Sequence, residues 1–361
     1  MIRVGLVGFG MAGKVFHAPM ITAVEGLELA AVVERNSRNA EAEYPEVTTH
    51  TSLDEMLEDA SLELIVVATP NTLHVPQAEQ ALKAGRHVVV DKPVAITSAE
   101  IAGLMKVAND SGKMLIPFHN RRWDSDFQTL QKIVAGGQLG RIVAVESTFD
   151  RWRQLPKLET WRDKGGPGTG ILLDLGTHLA DQALHLFGLP EAVSAEVLVE
   201  RDTAVANDSF TIRLYYPRNV VTLSANCLSA TSRPRFTVRA TKGNYVKCCL
   251  DPQEAKLKES HRVTPVGWGT EPAERWGKLT LEVGSPTSGN VITQPVEPIP
   301  GDYRLYYAGV RDAILGKAEP PVAARDAFHT ARVLEWAEQS WAEKRTVSCE
   351  WVPATGQLQS E

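Results

Sequence analysis

Ile2-Arg3-Val4-Gly5-Leu6-Val7, followed at once by Gly8-Phe9-Gly10-Met11-Ala12-Gly13, is the stretch that decides the fold of this 361-residue chain. The first six residues form a short apolar run, suited to a strand buried on both faces. Lys14 to Val24 then has helical spacing, and Leu27 to Val33 is a second apolar run that ends at Glu34. G-x-G-x-x-G between a strand and a helix is a dinucleotide-binding turn. The first glycine permits the tight turn, the second lets backbone approach a pyrophosphate, and the third lets helix pack on strand. The helix N-terminus then offers unpaired N–H groups to phosphate. Gly8, Phe9, Gly10, Met11, Ala12 and Gly13 are therefore expected to bind the cofactor.

Glu34 lies about 20 residues past the glycines, where an acidic residue binds the ribose 2′-hydroxyl of NAD. Arg35 and Arg38 stand beside it and could hold the 2′-phosphate of NADP instead. A carboxylate repels that phosphate, so these residues lean to NAD.

The alternation continues outward. Leu53 to Leu57 predicts a short helix capped by Ser52, and Leu64 to Ala68 predicts a strand leading to Thr69-Pro70-Asn71. A helix over Val75 to Ala84, closed by Gly85, precedes a strand from His87 to Val90 that ends at Asp91-Lys92-Pro93. Ser98 is read as the cap of a helix to Ser111, and Met114 to Phe118 as the next strand, ending at His119-Asn120-Arg121-Arg122. In an open parallel sheet, ligands sit beyond the carboxyl ends of the strands. Thr69, Asn71, His74, Asp91, Lys92 and Asn120 are thus expected around the cofactor. Lys92, restrained before a proline, can bring an ammonium to a substrate oxygen.

Beyond residue 120 the pattern changes. A helix over Asp126 to Val134 leads to an alternating strand, Arg141 to Phe149. Strand-like runs at Ala192 to Glu200, Ser209 to Tyr215, Val220 to Cys227 and Phe236 to Ala240 are separated by turn residues. They predict a mostly antiparallel sheet. One face of such a sheet is often open, which suggests a homodimer or homotetramer formed through it. Leu257 to Pro300 reads as irregular, and helices over Tyr303 to Leu315 and Ala324 to Glu343 close the chain. The expected architecture is α/β: residues 1–120 a Rossmann dinucleotide-binding domain, residues 121–361 an α+β substrate-binding and oligomerisation domain.

Between those strands lies a glycine-rich loop, Gly165 to Gly170, and a predicted helix, Leu172 to Phe187. It carries Asp174-Leu175-Gly176-Thr177-His178. Asp174 and His178 are four apart, which on an α-helix places them on one face with Asp181. A carboxylate beside an imidazole suits proton transfer near neutral pH.

Composition narrows the classes. Lys and Arg total 38 against 44 Asp and Glu, a net charge of -6, and there is no basic run, which argues against nucleic acid as a partner. Four cysteines form no C-x-x-C pair, so neither a metal cage nor a disulfide framework is expected. No apolar run reaches membrane-spanning length, and the expected location is cytoplasmic.

Taken together, Gly8-Phe9-Gly10-Met11-Ala12-Gly13, Asp91-Lys92-Pro93 and Asp174-Leu175-Gly176-Thr177-His178 resemble the Gfo/Idh/MocA family of oxidoreductases, over essentially the whole chain. The resemblance implies that Lys92, Asp174 and His178 line an active site. Asp91 stands where the family usually has Glu, a carboxylate one methylene longer. A narrower likeness, carried by residues 119–127, Thr160-Trp161-Arg162 and residues 250–254, is to the branch containing NADP-dependent scyllo-inositol dehydrogenases, and it pulls toward NADP. Trp161 and Arg162 are then expected near the nicotinamide. The implied reaction interconverts a secondary alcohol and a ketone on a cyclic polyol or sugar. His178 would be the general base, Asp174 would orient it or bind a neighbouring hydroxyl, and Lys92 would stabilise charge on the substrate oxygen. An NAD-recycling glycosidase and a non-catalytic nucleotide-binding regulator are the rival readings on the same fold.

Overall fold

Buried valine, leucine and isoleucine dominate five of the first six strands, as crossover helices that cover both faces of a parallel sheet require. The computed structural model describes residues 1–351 apart from 159, 161, 265 and 286. These strands are β1 (Ile2–Val7), β2 (Leu27–Val33), β3 (Thr48–His50), β4 (Leu64–Val67), β5 (His87–Val90) and β6 (Leu115–Pro117). They pair in the order β3-β2-β1-β4-β5-β6, parallel throughout. The order reverses between β1 and β4, so the crevice at their carboxyl ends is the ligand site that this topology dictates.

The second sheet holds β7 (Ile142–Thr148), β8 (Ala192–Leu198), β9 (Ser209–Tyr215), β10 (Val220–Asn226), β11 (Phe236–Ala240), β12 (Gly243–Lys247), β13 (Gly277–Glu282), β14 (Val291–Val296) and β15 (Val347–Ser348). Its order is β14-β13-β12-β11-β7-β10-β9-β8-β15. β7 and β10 are parallel, and the other pairings are antiparallel. The span read as irregular therefore contains β13 and β14, and a helix at Gln253–Ser260 overlaps its start. β14 is almost wholly exposed, so it carries no buried-face alternation for a sequence reading to detect.

Helix ends follow local chemistry. Ser52 caps Leu53–Leu57 as expected, its hydroxyl accepting from the Glu55 N–H. The helix Ser98–Asp110 is capped by Thr97 and not by Ser98. Thr97 is extended, its hydroxyl accepts from the Glu100 N–H, and its own N–H donates to Glu100 Oε2 at 2.9 Å, which completes a capping box. Ser98 instead donates to Glu335 on the long helix Ala324–Glu343, tying the two halves of the chain together.

The core beside the first sheet also takes in residues from beyond 300. Tyr303, Tyr306, Tyr307 and Val310, from the helix Arg304–Ile314 and its cap, pack with Ile2, Val4 and Leu6. Tyr306 donates to the Pro117 carbonyl at 3.0 Å. Tyr307 lies 2.7 Å from His17 Nδ1.

Burial pushes the His17 imidazole down to about 4, against the opposing pull of Asp91 and with a further lowering by His74. The unfolded chain binds that proton near 6.5, so the unfolded state gains protons first on acidification. Stability held by neutral His17 is complete above about pH 6.5 and is lost as pH falls toward 4, by on the order of 3 kcal/mol. Urea midpoints followed from pH 7 to pH 4 should fall more steeply than those of His17→Gln; parallel curves would remove His17 from the acid sensitivity.

Candidate active site

Two cavities meet at the seam between the sheets. The first, about 700 Å³, lies over the carboxyl ends of β1, β2 and β4 and is walled by Gly8 to Ala12, Glu34, Arg35, Thr69, Asn71, Asp91 and Lys92. Gly8 has φ +98°, where a side chain is strained, and a Cβ on Gly13 would stand 2.1 Å from the Gly8 carbonyl oxygen. A Cβ on Gly10 would meet nothing within 4 Å, so Gly10 leaves the backbone open toward the cavity. This is the division of labour that a pyrophosphate cradle requires. The residues present therefore fit a dinucleotide.

Glu34 reaches that wall, but its carboxylate is already engaged. Oε1 accepts from Ser37 Oγ at 2.7 Å and from Asn39 Nδ2 at 3.4 Å, and Oε2 from the Ala40 N–H at 2.7 Å. It is buried and shapes the loop before the helix Asn39–Glu43. Arg35 is exposed on the same wall, while Arg38 pairs with Glu41 at 2.9 Å.

The neighbouring strand ends lock onto each other. His74, expected at the cofactor, lines neither cavity; its Nδ1 lies 2.8 Å from the Pro93 carbonyl oxygen and its Nε2 2.7 Å from that of Thr69. It clamps the loops after β4 and β5. Asn71 reaches across the seam to donate to the Gly168 carbonyl at 2.8 Å. The Lys92 N–H donates to Asp91 Oδ1 at 2.8 Å, which orients the loop that presents the lysine.

The second cavity, about 390 Å³, adjoins the first and shares Asp91, Lys92, Arg162 and Asp174 with it. Lys92 Nζ donates to the Asp174 carbonyl at 2.8 Å and to Asp174 Oδ1 at 2.9 Å. Arg151, just beyond β7, holds the other oxygen, Oδ2, at 3.0 Å. Arg162 Nε lies 3.9 Å from Oδ1. Burial raises the Asp174 carboxyl, but Lys92, Arg151 and Arg162 outweigh it and hold the group well below the usual carboxylate range.

His178 and Asn120 line the same cavity. His178 is buried and its Nδ1 has no hydrogen-bond partner among the described residues. Burial lowers the imidazole well below its ordinary value, with Lys92, Arg121 and His119 adding to the shift and Asp174 opposing it. The imidazole is therefore neutral at neutral pH and able to accept a proton. Asp174 does not orient it: both carboxylate oxygens are spent on cations. Leu172–Gly176 is a π-helix, and only Thr177–Phe187 is α-helical. Bonds to the fifth residue widen the turn, so the four-residue spacing does not place Asp174 against His178.

Asp181 stands apart from this group. It takes a bidentate contact from Arg122, at 2.9 and 2.6 Å, and Arg122 also reaches Asp326 at 3.0 Å. Arg122 is thus a structural bridge. The expectation for Trp161 lies outside the described residues. Arg151 was not singled out by the sequence, and nothing local marks it, because its partner is 23 residues away. No group of His, Cys, Asp and Glu suited to a metal ion occurs among the described residues, and no helix there is long and apolar enough to cross a membrane.

A nucleotide cavity on a Rossmann sheet, opening onto a lysine, a neutral buried histidine and a second cavity, defines a dinucleotide-dependent oxidoreductase. Residues 2–119 match the family model described as "Oxidoreductase family, NAD-binding Rossmann fold", and residues 131–349 its C-terminal alpha/beta domain. The chain belongs to the Gfo/Idh/MocA family. It is 41% identical to the uncharacterized oxidoreductase YdgJ of Escherichia coli, over 96% of this chain and 98% of that one. It is 33% identical to the NADP-dependent scyllo-inositol 2-dehydrogenase IolW of Bacillus subtilis, over 97% and 96%. The solved structure of YPO2259 from Yersinia pestis superposes with a TM-score of 0.91 at 40% identity, covering 97% of this chain and 98% of that one.

Proposed function

We propose that this oxidoreductase interconverts a secondary alcohol and a ketone on a sugar or cyclic polyol, with NADP as its preferred cofactor. The observation that carries the reading is Lys92 at the seam of the two cavities. An ammonium has three protons, and the two bonds to Asp174 leave one for a substrate oxygen. When bound, the nicotinamide supplies the hydride acceptor or donor. Lys92 holds the substrate oxygen and favours the negative charge that grows there as the proton leaves. His178 takes that proton in oxidation and returns it in reduction. Asp174, fixed between Lys92 and Arg151, keeps the ammonium in place. IolW, a polyol dehydrogenase of nearly equal length, supports the substrate class.

The cofactor preference rests on Glu34. Its oxygens serve Ser37, Asn39 and Ala40, which leaves Arg35 to meet the 2′ position. Arg35→Ala is expected to raise the KM for NADP roughly ten- to hundredfold, the weight of a lost charge-assisted hydrogen bond, and to change that for NAD far less. An equal effect on both would exclude Arg35 as the 2′-phosphate ligand. A panel of polyols, sugars and their ketones, followed at the NAD(P)H absorbance with each cofactor, tests the activity itself.

A further inference from the structure

The second cavity has the wrong charge for a neutral ring alone. The chain as a whole is acidic, at -6, yet among the described residues this wall carries eight lysines and arginines against five aspartates and glutamates. Most of the cations are already neutralised: Arg151 on Asp174, Arg121 on Asp124 and Glu254, and Arg201 on Asp208 at 2.7 Å. Arg153 and Lys157 are not, for no carboxylate among the described residues pairs with either side chain.

Their placement is built. The Arg151 and Arg153 N–H groups bond to the carbonyls of Asn226 and Cys227, at 2.9 and 2.8 Å, and Trp152 bridges to Leu228 between them. On an extended segment, residues two apart share a face. Arg151 and Arg153 therefore both face the cavity, while Trp152 does not line it. The buried Arg201 guanidinium also holds this segment, donating to the Arg153 carbonyl at 3.4 Å. The Lys157 N–H donates to Asp163 Oδ2 at 2.9 Å. Arg151 marks the chemical end through Asp174, and the Arg153 backbone lies roughly 7 Å further along the segment.

We infer that the substrate is an anionic sugar derivative, carrying a carboxylate or a phosphate ester that Arg153 and Lys157 hold in the second cavity, away from Lys92. This rests on the alcohol–ketone reading above, and it narrows the substrate class. A pair of cations recognises either anion by charge-assisted hydrogen bonds, whereas a hydroxyl gains little from them.

Isothermal titration of the NADP-saturated protein with glucuronate, glucose 6-phosphate and glucose tests the inference without requiring turnover. At least one anion should bind roughly tenfold or more tightly than glucose. Glucuronate ahead assigns a carboxylate, and glucose 6-phosphate ahead assigns a phosphate. The double variant Arg153→Gln, Lys157→Gln should cut that preference at least roughly tenfold, while Lys317→Gln, an exposed charge loss outside the cavity, should preserve it. Equal affinity for all three ligands, binding by neither anion, or a preference that survives the double variant would each overturn the inference. Turnover assays on the same compounds separate the two readings. Anion-selective binding without any turnover would remove the oxidoreductase assignment of substrate and leave the anion site standing. Turnover of neutral rings with no anion preference would do the reverse.

Discussion

Lys92→Ala is expected to lower kcat/KM about 10²–10³-fold, the usual consequence of removing one preorganised donor from a developing oxyanion. The loss should fall on the chemical step. Lys92 stands where the cavities join, and the turn that fits the pyrophosphate is built of main chain, from Gly8 to Ala12. The dissociation constant for NADP, read by quenching of intrinsic fluorescence, should therefore change little. Substitution also removes one of the cations that hold Asp174 well below the usual carboxylate range, leaving Arg151 at 3.0 Å on the other oxygen. Asp174 then stays charged and faces the substrate oxygen without an intervening ammonium, so repulsion adds to the lost donor. Lys92→Arg should not rescue the rate, because a rigid guanidinium fork cannot reproduce a point charge bonded to both a carbonyl and a carboxylate of one residue. If Lys92→Ala changed only cofactor affinity, its place on the substrate side would be lost.

The parts of this site that the sequence disclosed were those with local signatures. G-x-G-x-x-G between strand and helix is a backbone requirement, and each glycine does here what its position demands. Strand ends in a parallel sheet are likewise a consequence of order along the chain, which is why Thr69, Asn71, Asp91, Lys92 and Asn120 all reach a cavity wall. What the sequence hid was pairing at a distance and departures from regular helix. Glu34 has the position of a ribose ligand, but Ser37, Asn39 and Ala40 claim its oxygens, and no periodicity encodes that competition. His74 sits among cofactor-facing residues in the sequence yet turns to two carbonyl oxygens. Asp174 and His178 have α-helical spacing, but the π-turn at Leu172–Gly176 breaks it. Freed from the imidazole, Asp174 gathers Lys92 and Arg151 from two other parts of the chain. The ion cluster that organises the site is thus a tertiary fact, joining Lys92 and Arg151 to Asp174 across 82 and 23 residues, too far for a local pattern to reveal.

His178→Ala is expected to lower kcat about 10²–10⁴-fold, the range for loss of a positioned general base, with cofactor binding retained. The pH dependence gives the sharper test. Burial, reinforced by Lys92, Arg121 and His119 against the opposing Asp174, holds this imidazole well below 6.5. A base must be neutral to accept a proton, and a lowered value keeps it neutral further into acid. For alcohol oxidation by the free enzyme, kcat/KM should therefore stay level as pH falls through 6.5 and drop only in more acid solution. The reverse reaction needs the imidazolium, and it should still be rising with acidity there. Because Lys92 is a major cationic contributor, Lys92→Ala should move the acid limb of the residual oxidation toward higher pH, closer to 6.5. A limb that stayed in place would mean that burial alone sets the shift. Nδ1 has no hydrogen-bond partner among the described residues, so Asp174 acts on the ring through its charge alone, and burial and the cations outweigh it. An acid limb at or above the ordinary histidine value, or full turnover by His178→Ala, would assign the proton to another group.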